Sequence, residues 1–568
     1  MEKFCRWVLK SSDPSKVEML AKGLGVSRPV AAVLVNRGMD DLEEAREFLK
    51  VGKECWGPPS IFPQMEAAVD RVKRALVEGE TIGICGDYDV DGITSTAILT
   101  HFLASNHPLG EKGVIPHIPH RLSEGYGLSK EIVDHLYSQG VTLLITVDCG
   151  ISSVEEVNYA KEKGIDVIVT DHHQPSDELP PALAVLDPAV HKNMDPLAGV
   201  GVALKMVEGV AESLWGEEGG KRVLREYMDL ALLGTIADVV PLVRANRFIA
   251  RYGLRMMEQR RRPGIAALMK VAGRKGQVNS WEISFILAPR LNAAGRMGDA
   301  MPALELLLKE DERAAMELAK RLHSINQQRQ KTEEGILRQV MREAERMGEP
   351  PPFAVFFGED WHPGVIGIVA ARVADRLRRP TALVSFYNGQ MGRGSARTWE
   401  DINLLHILNQ CSHHLERLGG HTKAAGFGIR KEKAEEFREA VVEVASSVVV
   451  KERERVLELE AVLEMDDLNG KLLNDLRQLE PYGEANPQPL FLMREVTVQN
   501  PKIVGRNHLK FHAVKGNTVA ECIAFDLGDT LSIVQNTRVD LAVYPTLNVW
   551  NGTKTLQLEV RGIRPACL

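Results

Sequence analysis

Residues 81–97 read TIGICGDYDVDGITSTA and combine a short apolar run with three alternating carboxylates. The run TIGIC has the length and β-branched content of a buried strand, and Gly92 opens a segment of helical composition. Asp87, Asp89 and Asp91 therefore stand where a strand ends and a helix begins. Strands that alternate with helices build parallel sheets. The stretch predicts an α/β fold with acidic residues at the carboxyl edge of its sheet.

A calcium-binding loop is the alternative interpretation of these carboxylates. A D-x-D-x-D-G loop of that kind needs a bidentate glutamate at its twelfth position. Counted from Asp87, the twelfth residue is Ile98, and the segment before the loop has the pattern of a strand rather than a helix. Both observations disfavour a calcium loop.

Three further apolar runs end in the same way. VTLLITVD ends at Asp148, DVIVTD ends at Asp171 and leads into His172 and His173, and LALLGTIAD ends at Asp238. A single such aspartate is usually a helix cap, but the repetition favours one shared site at the carboxyl edge of the sheet. So many carboxylates repel one another unless cations neutralise them. Carboxylates with one or two imidazoles suit Mn²⁺ or Mg²⁺.

Residue composition and the predicted secondary structure divide the rest of the chain into segments. Residues 303–345 are rich in Ala, Leu, Glu, Arg and Gln, and Asp311 is the predicted N-cap of one long helix of roughly 50 Å. About five short strands near the end, two of them joined by an Asn551-Gly552 turn, suit a closed oligonucleotide-binding (OB) barrel. The predicted parts are a helical cap (1–50), a first α/β lobe (51–245), a helical connector (246–350), a second α/β lobe (351–450) and the barrel (455–568).

Composition excludes several classes of protein. The chain has 568 residues, of which 44% are hydrophobic and 26% charged, so it is not a disordered or fibrous protein. It contains no apolar run long enough to span a membrane, and its first residues lack a signal-peptide core, which predicts a cytoplasmic protein. The seven cysteines are scattered and never in CxxC spacing, which argues against disulfides and zinc-thiolate sites.

The net charge of −7 hides a basic cluster. Between Arg244 and Lys275 there are ten Lys or Arg and one acid, Glu258. A solvated helix face and a surface that contacts phosphates are both compatible with this pattern.

GDYDVDG, VDCG, TDHH and IAD, in this order, resemble the four motifs of the DHH phosphoesterase superfamily. LGGHTKAAGF (418–427) and GRGSAR (392–397) resemble its DHH-associated domain. APRLNAAGRM (288–297) and PYGEANPQPLF (481–491) resemble the RecJ branch, whose members are single-strand-specific 5′→3′ DNA exonucleases. The tyrosine and alanine of PYGEANP depart from the phenylalanine and glycine expected in many relatives, outside the metal centre.

The resemblance implies a two-metal phosphodiesterase. Its metal ligands would be Asp89, Asp91, Asp148, His172 and Asp238, with Asp148 bridging the two ions. Asp87 is either a further ligand or a residue that orients one. His173 would contact the scissile phosphate or assist the leaving group, with a metal-bound hydroxide as the nucleophile.

The resemblance also implies substrate contacts. The expected residues are Arg121, Arg290, Asn292, Arg296, Arg393, Ser395, Arg397, Gly420 and His421. Arg121, Ser395 and Arg397 would hold the terminal 5′ phosphate, and Arg296 would approach the phosphate near the metals. Candidate strand-binding residues of the barrel are Lys502, Arg506, His508, Lys510, Tyr544 and Trp550.

The implied activity is 5′→3′ hydrolysis of single-stranded DNA to 5′-mononucleotides in DNA repair and recombination. The expected partners are single-stranded DNA, a single-strand-binding protein and a repair helicase, with the enzyme itself a monomer and not bound to membranes. A small-molecule or oligonucleotide phosphoesterase is the alternative, but it would leave the connector, the basic cluster and the barrel without a use. A scaffold that has lost its metal ligands is disfavoured because every acidic and histidine position is intact.

Overall fold

The computed structural model describes residues 5–191, 194–274, 276–387, 389–400, 402–448, 455–534, 537–550 and 553–566. The chain forms two compact units. One unit comprises Met1–Gly57, Val239–Arg251 and Arg453–Leu568, and the other comprises Pro58–Asp238 and Tyr252–Glu452. Among the described residues, no helix is both long and apolar enough to cross a membrane.

The first lobe of the larger unit is built on a five-stranded sheet whose neighbours are all parallel. The strands lie in the order Val114–His117, Thr81–Cys85, Val141–Val147, Asp166–Thr170 and Ala184–Leu186. The α-helices of this lobe are Met65–Glu78, Val90–Asn106, Lys130–Ser138, Val154–Glu162, Gly199–Trp215 and Glu217–Ala237. The predicted α/β lobe with a parallel sheet is confirmed.

The strand order of this sheet reverses at Thr81–Cys85, which is the first of its strands along the chain. From Thr81–Cys85 the chain leads to Val114–His117 on one side, and the next strand, Val141–Val147, pairs on the other side. Ligands of open α/β sheets bind at such a switch point, beyond the carboxyl ends of the strands. Asp87 and Asp148 follow the two strands that meet there.

A set of helices leads from the first lobe to the second. Its members are Arg244–Glu258, Pro263–Val271, Ser280–Glu282, a π-helix at Ile283–Leu287, Ala288–Met297, Met301–Leu308 and Glu312–Met347. The last has 36 residues, and the Asp311 carboxylate caps it by accepting a hydrogen bond from the Ala314 amide at 2.7 Å. The predicted long helix is confirmed, although residues 303–308 belong to the separate helix before it.

The second lobe is a mixed five-stranded sheet. In order, its strands are Arg417–Gly420, Ala424–Arg430, Met391–Arg397, Thr381–Ser385 and Ala354–Gly358, of which only the last two pair in parallel. Its α-helices are Ile366–Leu377, Leu404–Gln410 and Ala434–Val448.

The smaller unit contains the predicted barrel. Its strands Phe491–Val504, His508–Lys515, Thr518–Ala524, Thr553–Pro565 and Arg538–Trp550 pair in this order, and Phe491–Val504 also pairs with Arg538–Trp550 and closes the ring. Ala461–Val462 pairs in parallel with the start of Phe491–Val504, and the helices Gly470–Leu479 and Leu531–Val534 belong to the same part of the chain. The predicted Asn551-Gly552 turn lies outside the described residues.

The N-terminal segment packs on the barrel. Strand Cys5–Leu9 pairs in parallel with Arg455–Leu459, and helices Pro14–Leu24, Arg28–Asn36, Leu42–Leu49 and Lys53–Trp56 follow. Leu20, Val30 and Leu34 share one hydrophobic core with Phe491 and Phe511 of the barrel.

The basic cluster found in the sequence contributes structural contacts to both units. In the smaller unit, Arg247 is fully buried and its guanidinium donates hydrogen bonds to the carbonyls of Phe48, Gln478, Leu479 and Glu480. In the larger unit, Arg262 donates to the buried Asp229 carboxylate at 3.4 Å. Neither a solvated helix face nor a phosphate-binding surface accounts for these two arginines, because both make contacts inside the protein. Lys275 lies outside the described residues.

Candidate metal centre and substrate site

The loop after the first strand fixes its own carboxylates. Asp89 caps the helix Val90–Asn106, because its carboxylate accepts hydrogen bonds from the amides of Asp91 at 2.9 Å and Gly92 at 3.2 Å. Gly92 is required, since a Cβ atom there would lie 2.4 Å from the Asp87 carbonyl oxygen. The helix thus starts close to the strand end, so that Asp87, Asp89 and Asp91 all lie within five residues.

Asp91 and Asp148 are more deeply buried than Asp89. Asp91 accepts hydrogen bonds from the amides of Gly199 at 2.7 Å and Val200 at 2.9 Å, at the start of another helix. Asp148 has a φ of 58°, and its amide donates to the Thr170 carbonyl at 3.0 Å. This left-handed conformation is strained for aspartate and ends the strand abruptly. Both carboxylates are almost fully buried.

His172 faces the carboxylates from the neighbouring strand end. Its Nε2 atom lies 3.1 Å from Asp148 Oδ1, 3.6 Å from Asp238 Oδ2 and 3.8 Å from Asp91 Oδ2. Burial, followed by the neighbouring His173, lowers the pKa of His172 to about 4. His172 is therefore a neutral imidazole at pH 7, the form that binds metals.

Asp171 organises the histidine pair rather than joining the cluster. Its carboxylate accepts hydrogen bonds from the amides of Ile151, His172 and His173, and from His173 Nδ1 at 2.7 Å. Burial alone would lower the pKa of His173, but the hydrogen bond and charge of Asp171 outweigh it and raise that pKa to about 9. His173 is accordingly protonated at neutral pH, in contrast to His172.

Asp238 reaches the cluster from a helix. The interpretation that its apolar run is a further strand of the sheet is wrong, because LALLGTIA forms the end of the helix Glu217–Ala237 and Asp238 is its C-cap residue. An apolar run of eight residues fits a buried helix as well as a buried strand, so its pattern alone does not separate the two. The side chain nevertheless lies beside His172, as the shared-site prediction requires.

The donor set fits divalent metal ions. Three groups of side chains bring their ligand atoms within 4.8 Å of one another, namely Asp148, His172 and His173; Asp91, His172 and Asp238; and Asp87, Asp89 and Asp148. Three of the buried atoms, Asp87 Oδ1, Asp148 Oδ1 and His172 Nε2, make no hydrogen bond among the described residues. Burial and mutual repulsion raise the pKa values of Asp87, Asp91 and Asp148 well above the usual range. Bound cations would satisfy these atoms and remove the repulsion.

A further buried acid escaped the sequence reasoning. Asp187 follows the edge strand Ala184–Leu186, is fully buried, and one of its carboxylate oxygens makes no hydrogen bond among the described residues. Burial, and secondarily the charge of Asp171, raises its pKa to about 7. Asp187 follows the apolar run ALAVL (182–186), and this strand-end position is the sequence feature that could have identified it.

Several predicted substrate residues gather beside this cluster. Arg121 stacks over the Tyr88 ring at 4.8 Å. Burial and the neighbouring Arg121 lower the pKa of Arg296 to about 10, against the opposing charge of Asp89. Burial and Arg121 likewise lower the pKa of Arg397. Three guanidinium groups close enough to repel one another, next to the Asp89 carboxylate, have the chemistry to bind phosphate oxygens.

The second lobe supplies the other side of this place. Arg397 Nη1 donates to Ser395 Oγ at 3.0 Å, and a Cβ atom on Gly367 would lie 2.8 Å from Arg397 Nη2 and 3.0 Å from Ser395 Oγ. The absence of a side chain at Gly367 therefore leaves room for the Arg397 and Ser395 side chains. The sequence analysis did not predict this glycine as a site residue. Arg393 donates to the Leu122 carbonyl at 2.7 Å and connects the second lobe to the loop that carries Arg121.

The remaining predicted residues have more varied positions. Asn292 Oδ1 accepts a hydrogen bond from the Val90 amide at 3.1 Å, which ties the connector to residues 86–92, here called the metal-site loop. Arg290 donates to His323 Nδ1 at 3.2 Å rather than joining the other arginines. Gly420 has a φ of 143°, and a Cβ atom there would lie 2.4 Å from the Ala424 carbonyl oxygen. His421, which follows it, is exposed.

The barrel residues divide in the same way. Lys502 and Arg506 are exposed, Lys510 pairs with Glu521, and His508 lies edge-on to Phe525 with ring centroids 5.3 Å apart. Tyr544 packs against a small apolar cluster of its own unit, so it has a structural role there. The Trp550 side chain lies outside the described residues.

Three family models match the chain. Residues 81–235 match the DHH family N-terminal domain, 351–447 the DHHA1 domain and 459–562 the RecJ OB domain. The chain is 35% identical over 565 residues to the single-stranded-DNA-specific exonuclease RecJ of Bacillus subtilis, an alignment that covers 98% of this chain and 70% of that protein. The corresponding protein of Escherichia coli is 34% identical over 556 residues, covering 93% of this chain and 94% of that protein.

The chain belongs to the RecJ family. A RecJ crystal structure with Mn²⁺ from Thermus thermophilus has a TM-score of 0.86 and 32% identity, and the match covers 100% of this chain and 81% of that one. A second RecJ structure from that organism, with Mg²⁺, has a TM-score of 0.80. The predicted RecJ resemblance, fold class and metals are thereby confirmed.

Proposed function

We propose that the chain is a single-strand-specific 5′→3′ exonuclease that hydrolyses DNA to 5′-mononucleotides. The observation that carries this proposal is the cluster of buried carboxylates and His172 at the switch point of the sheet, beside Arg121, Arg296 and Arg397. Relatives named as single-stranded-DNA-specific exonucleases match nearly the whole chain.

Six side chains would hold two divalent ions. They are Asp87, Asp89, Asp91, Asp148, His172 and Asp238. The family resemblance implies Asp148 as the bridging ligand, and its carboxylate lies close both to His172 and to the pair Asp87 and Asp89. The ions supply a clamp on the attacking and leaving oxygens of an in-line phosphoryl displacement. Asp89 and Asp91 each accept two backbone amide hydrogen bonds, so the protein fixes their carboxylates in advance.

His173 acts on the phosphate. Asp171 engages its Nδ1 atom, so Nε2 of the protonated ring is the nitrogen that donates to a phosphate oxygen or to the leaving 3′ oxygen. His172 and His173 thus divide two roles between adjacent residues, a neutral ligand and a proton donor.

Ser395, Arg397 and Arg121 would bind the terminal 5′ phosphate. A guanidinium fork matches two phosphate oxygens, and the Ser395 hydroxyl already lies beside Arg397. Recognition of this group at a fixed place relative to the metal ligands gives the enzyme its direction and its mononucleotide product.

The biological setting forms part of the same proposal. We place the enzyme in the cytoplasm, as a monomer in DNA repair and recombination, working with a single-strand-binding protein and a helicase. Family membership is what supports these partners.

Digestion of strands labelled at either end tests the proposal. With Mn²⁺ present, a 5′-phosphorylated single strand should lose its 5′ label first as mononucleotide, while a blunt duplex should be resistant. Release of the 3′ label first, or equal cleavage of the duplex, would contradict it. Hydrolysis of short oligonucleotides with no cleavage of long strands would favour the alternative small-molecule phosphoesterase.

A further inference from the structure

The feature that the proposed function leaves unexplained is an exposed pair of aromatic rings in the connector. Trp281 and Phe285 are 59% and 65% exposed, the most exposed aromatic side chains in the described part of the chain. Their ring centroids are 5.3 Å apart and their planes are inclined by 31°, so the rings face one another on the surface. Two large aromatic rings kept in water cost free energy that a structural role would not require.

Local structure holds this aromatic pair in place. Ser280–Glu282, the π-helix Ile283–Leu287 and Ala288–Met297 form one continuous helical segment, here called the bridging helix. Ile283 and Leu287 are fully buried and anchor the turn that carries the aromatic pair. π-helical turns occur frequently at functional sites.

Two arginines contact the chain neighbours of the aromatic pair: Arg274 pairs with Glu282, and Arg290 donates a hydrogen bond to the Ile286 carbonyl. Arg274 Nη1 pairs with Glu282 Oε1 at 3.0 Å, and its Nε makes no hydrogen bond among the described residues. Arg290 lies five residues after Phe285. Burial, and secondarily the charge of Arg274, lowers the pKa of Arg290. Aromatic rings beside guanidinium groups are the combination with which proteins hold single-stranded nucleic acid without reading its sequence.

The bridging helix links the aromatic pair to the metal-site loop. Toward its other end, Asn292 Oδ1 accepts a hydrogen bond from the Val90 amide, and a Cβ atom on Gly295 would lie 2.6 Å from the Tyr88 carbonyl oxygen. Eleven residues separate Phe285 from Arg296, which is about 16 Å along a helix at 1.5 Å per residue. A stacked strand rises about 3.4 Å per nucleotide, so this distance corresponds to about five nucleotides.

From this placement we infer that Trp281 and Phe285 form a stacking platform for unpaired bases of the substrate strand, within about five nucleotides of the scissile phosphate. This inference rests on the proposed function and adds a base-binding subsite to it. Duplex DNA would not use the platform, because its bases are already stacked within the helix.

Release of the 5′ label under Mn²⁺, which reports the first cleavage alone, tests the platform. KM is measured for the parent protein, Trp281→Ala and Phe285→Ala on one 5′-phosphorylated single strand, and on a series in which one abasic site occupies successive positions from the second nucleotide. Trp215→Ala is the matched control, since Trp215 is a half-exposed tryptophan of the same unit outside the site. Thermal midpoints equal to that of the parent protein establish that the variants fold.

Loss of one base–aromatic stack corresponds to a rise in KM of about 5- to 150-fold. We expect Trp281→Ala and Phe285→Ala to show this rise on the intact strand. The parent protein should show it when the abasic site reaches one or two positions within about five nucleotides of the end, and the variants should not lose affinity again there. Trp215→Ala should reproduce the parent profile.

Two results would overturn the platform. One is a parent-like KM in both aromatic variants, which would leave this surface to another partner such as a hydrophobic peptide. The other is a raised KM with an unchanged response to every abasic position, which would exclude base stacking. A parent protein that releases no 5′ label would instead refute the proposed function itself, and the platform with it.

Discussion

Asp238→Asn should stabilise the protein when metal is absent and destabilise it, relative to the parent protein, when metal is present. Burial and the nearby Asp89 raise the pKa of Asp238 to about 7, against 3.8 for an ordinary aspartate. A carboxyl whose pKa is raised in the folded state holds its proton more tightly there than in the unfolded chain. Stability is therefore lost as the pH rises from about 4 to about 7, and the full penalty applies above pH 7.

The size of the effect follows from that difference. About three pKa units at 1.36 kcal/mol each give a penalty on the order of 4 kcal/mol for ionised Asp238 above pH 7. Asparagine carries no charge at any pH, so Asp238→Asn avoids this penalty. The value is an upper limit because the amide is itself a polar group that needs partners.

Thermal unfolding at pH 8 and pH 4.5, in EDTA and in Mn²⁺, measures the effect. The relevant transition is the one that Mn²⁺ shifts in the parent protein. In EDTA the variant should melt several degrees higher than the parent protein at pH 8 and at nearly the same temperature at pH 4.5. In Mn²⁺ at pH 8 the order should reverse, because the parent protein gains more from metal binding. A variant that melts lower than the parent protein in EDTA at pH 8 would refute the reasoning that the carboxylates repel one another until ions bind.

Three further predictions concern other parts of the chain. Arg397→Ala should raise KM about 10- to 150-fold on 5′-phosphorylated strands and much less on 5′-hydroxyl strands, and an equal loss on both in paired kinetics would remove Arg397 from the end-binding site. Replacing Lys502 and Arg506 together by alanine should lower the salt dependence of single-strand affinity by about 1.4 in log–log slope, and an unchanged slope in anisotropy titrations would exclude both as phosphate contacts. Arg247→Met should destabilise the smaller unit by at least about 3 kcal/mol, since four carbonyls lose their buried donor, and an unchanged chemical denaturation curve would contradict this.

The sequence indicated which carboxylates and histidines lie together because strand ends are local features. Asp87, Asp89, Asp148 and His172 each follow a short β-branched run, and parallel strands bring their carboxyl ends to one edge. Asp238 lies beside them although the predicted strand before it is wrong, since its run is helical.

Contacts between distant parts of the chain had no comparable signal. Strand Cys5–Leu9 pairs with residues some 450 positions away, and no periodicity in either segment names its partner. The same holds for Arg247, which the sequence presents as one member of a basic run and the structure buries among carbonyls. Charge counting detects the run but not the burial of its members.

The exposed aromatic pair shows a different limit. Trp281 and Phe285 have the spacing of an ordinary helix core, and only their exposure in the folded chain separates them from Ile283 and Leu287. The exposure of these two side chains is what points to a binding role, and a single sequence indicates exposure only weakly.

The most direct test of the central claim is the rate of mononucleotide release from a 5′-phosphorylated single strand by Asp148→Ala in Mn²⁺. Asp148 lies within two of the three groups of candidate ligands, and its loss would disturb both ion positions at once. With a far-UV circular dichroism spectrum and melting profile that show a folded protein, the account predicts a rate at least about 100-fold below that of the parent protein. Near-normal turnover by the folded variant would contradict the assignment of this cluster as the two-metal catalytic centre.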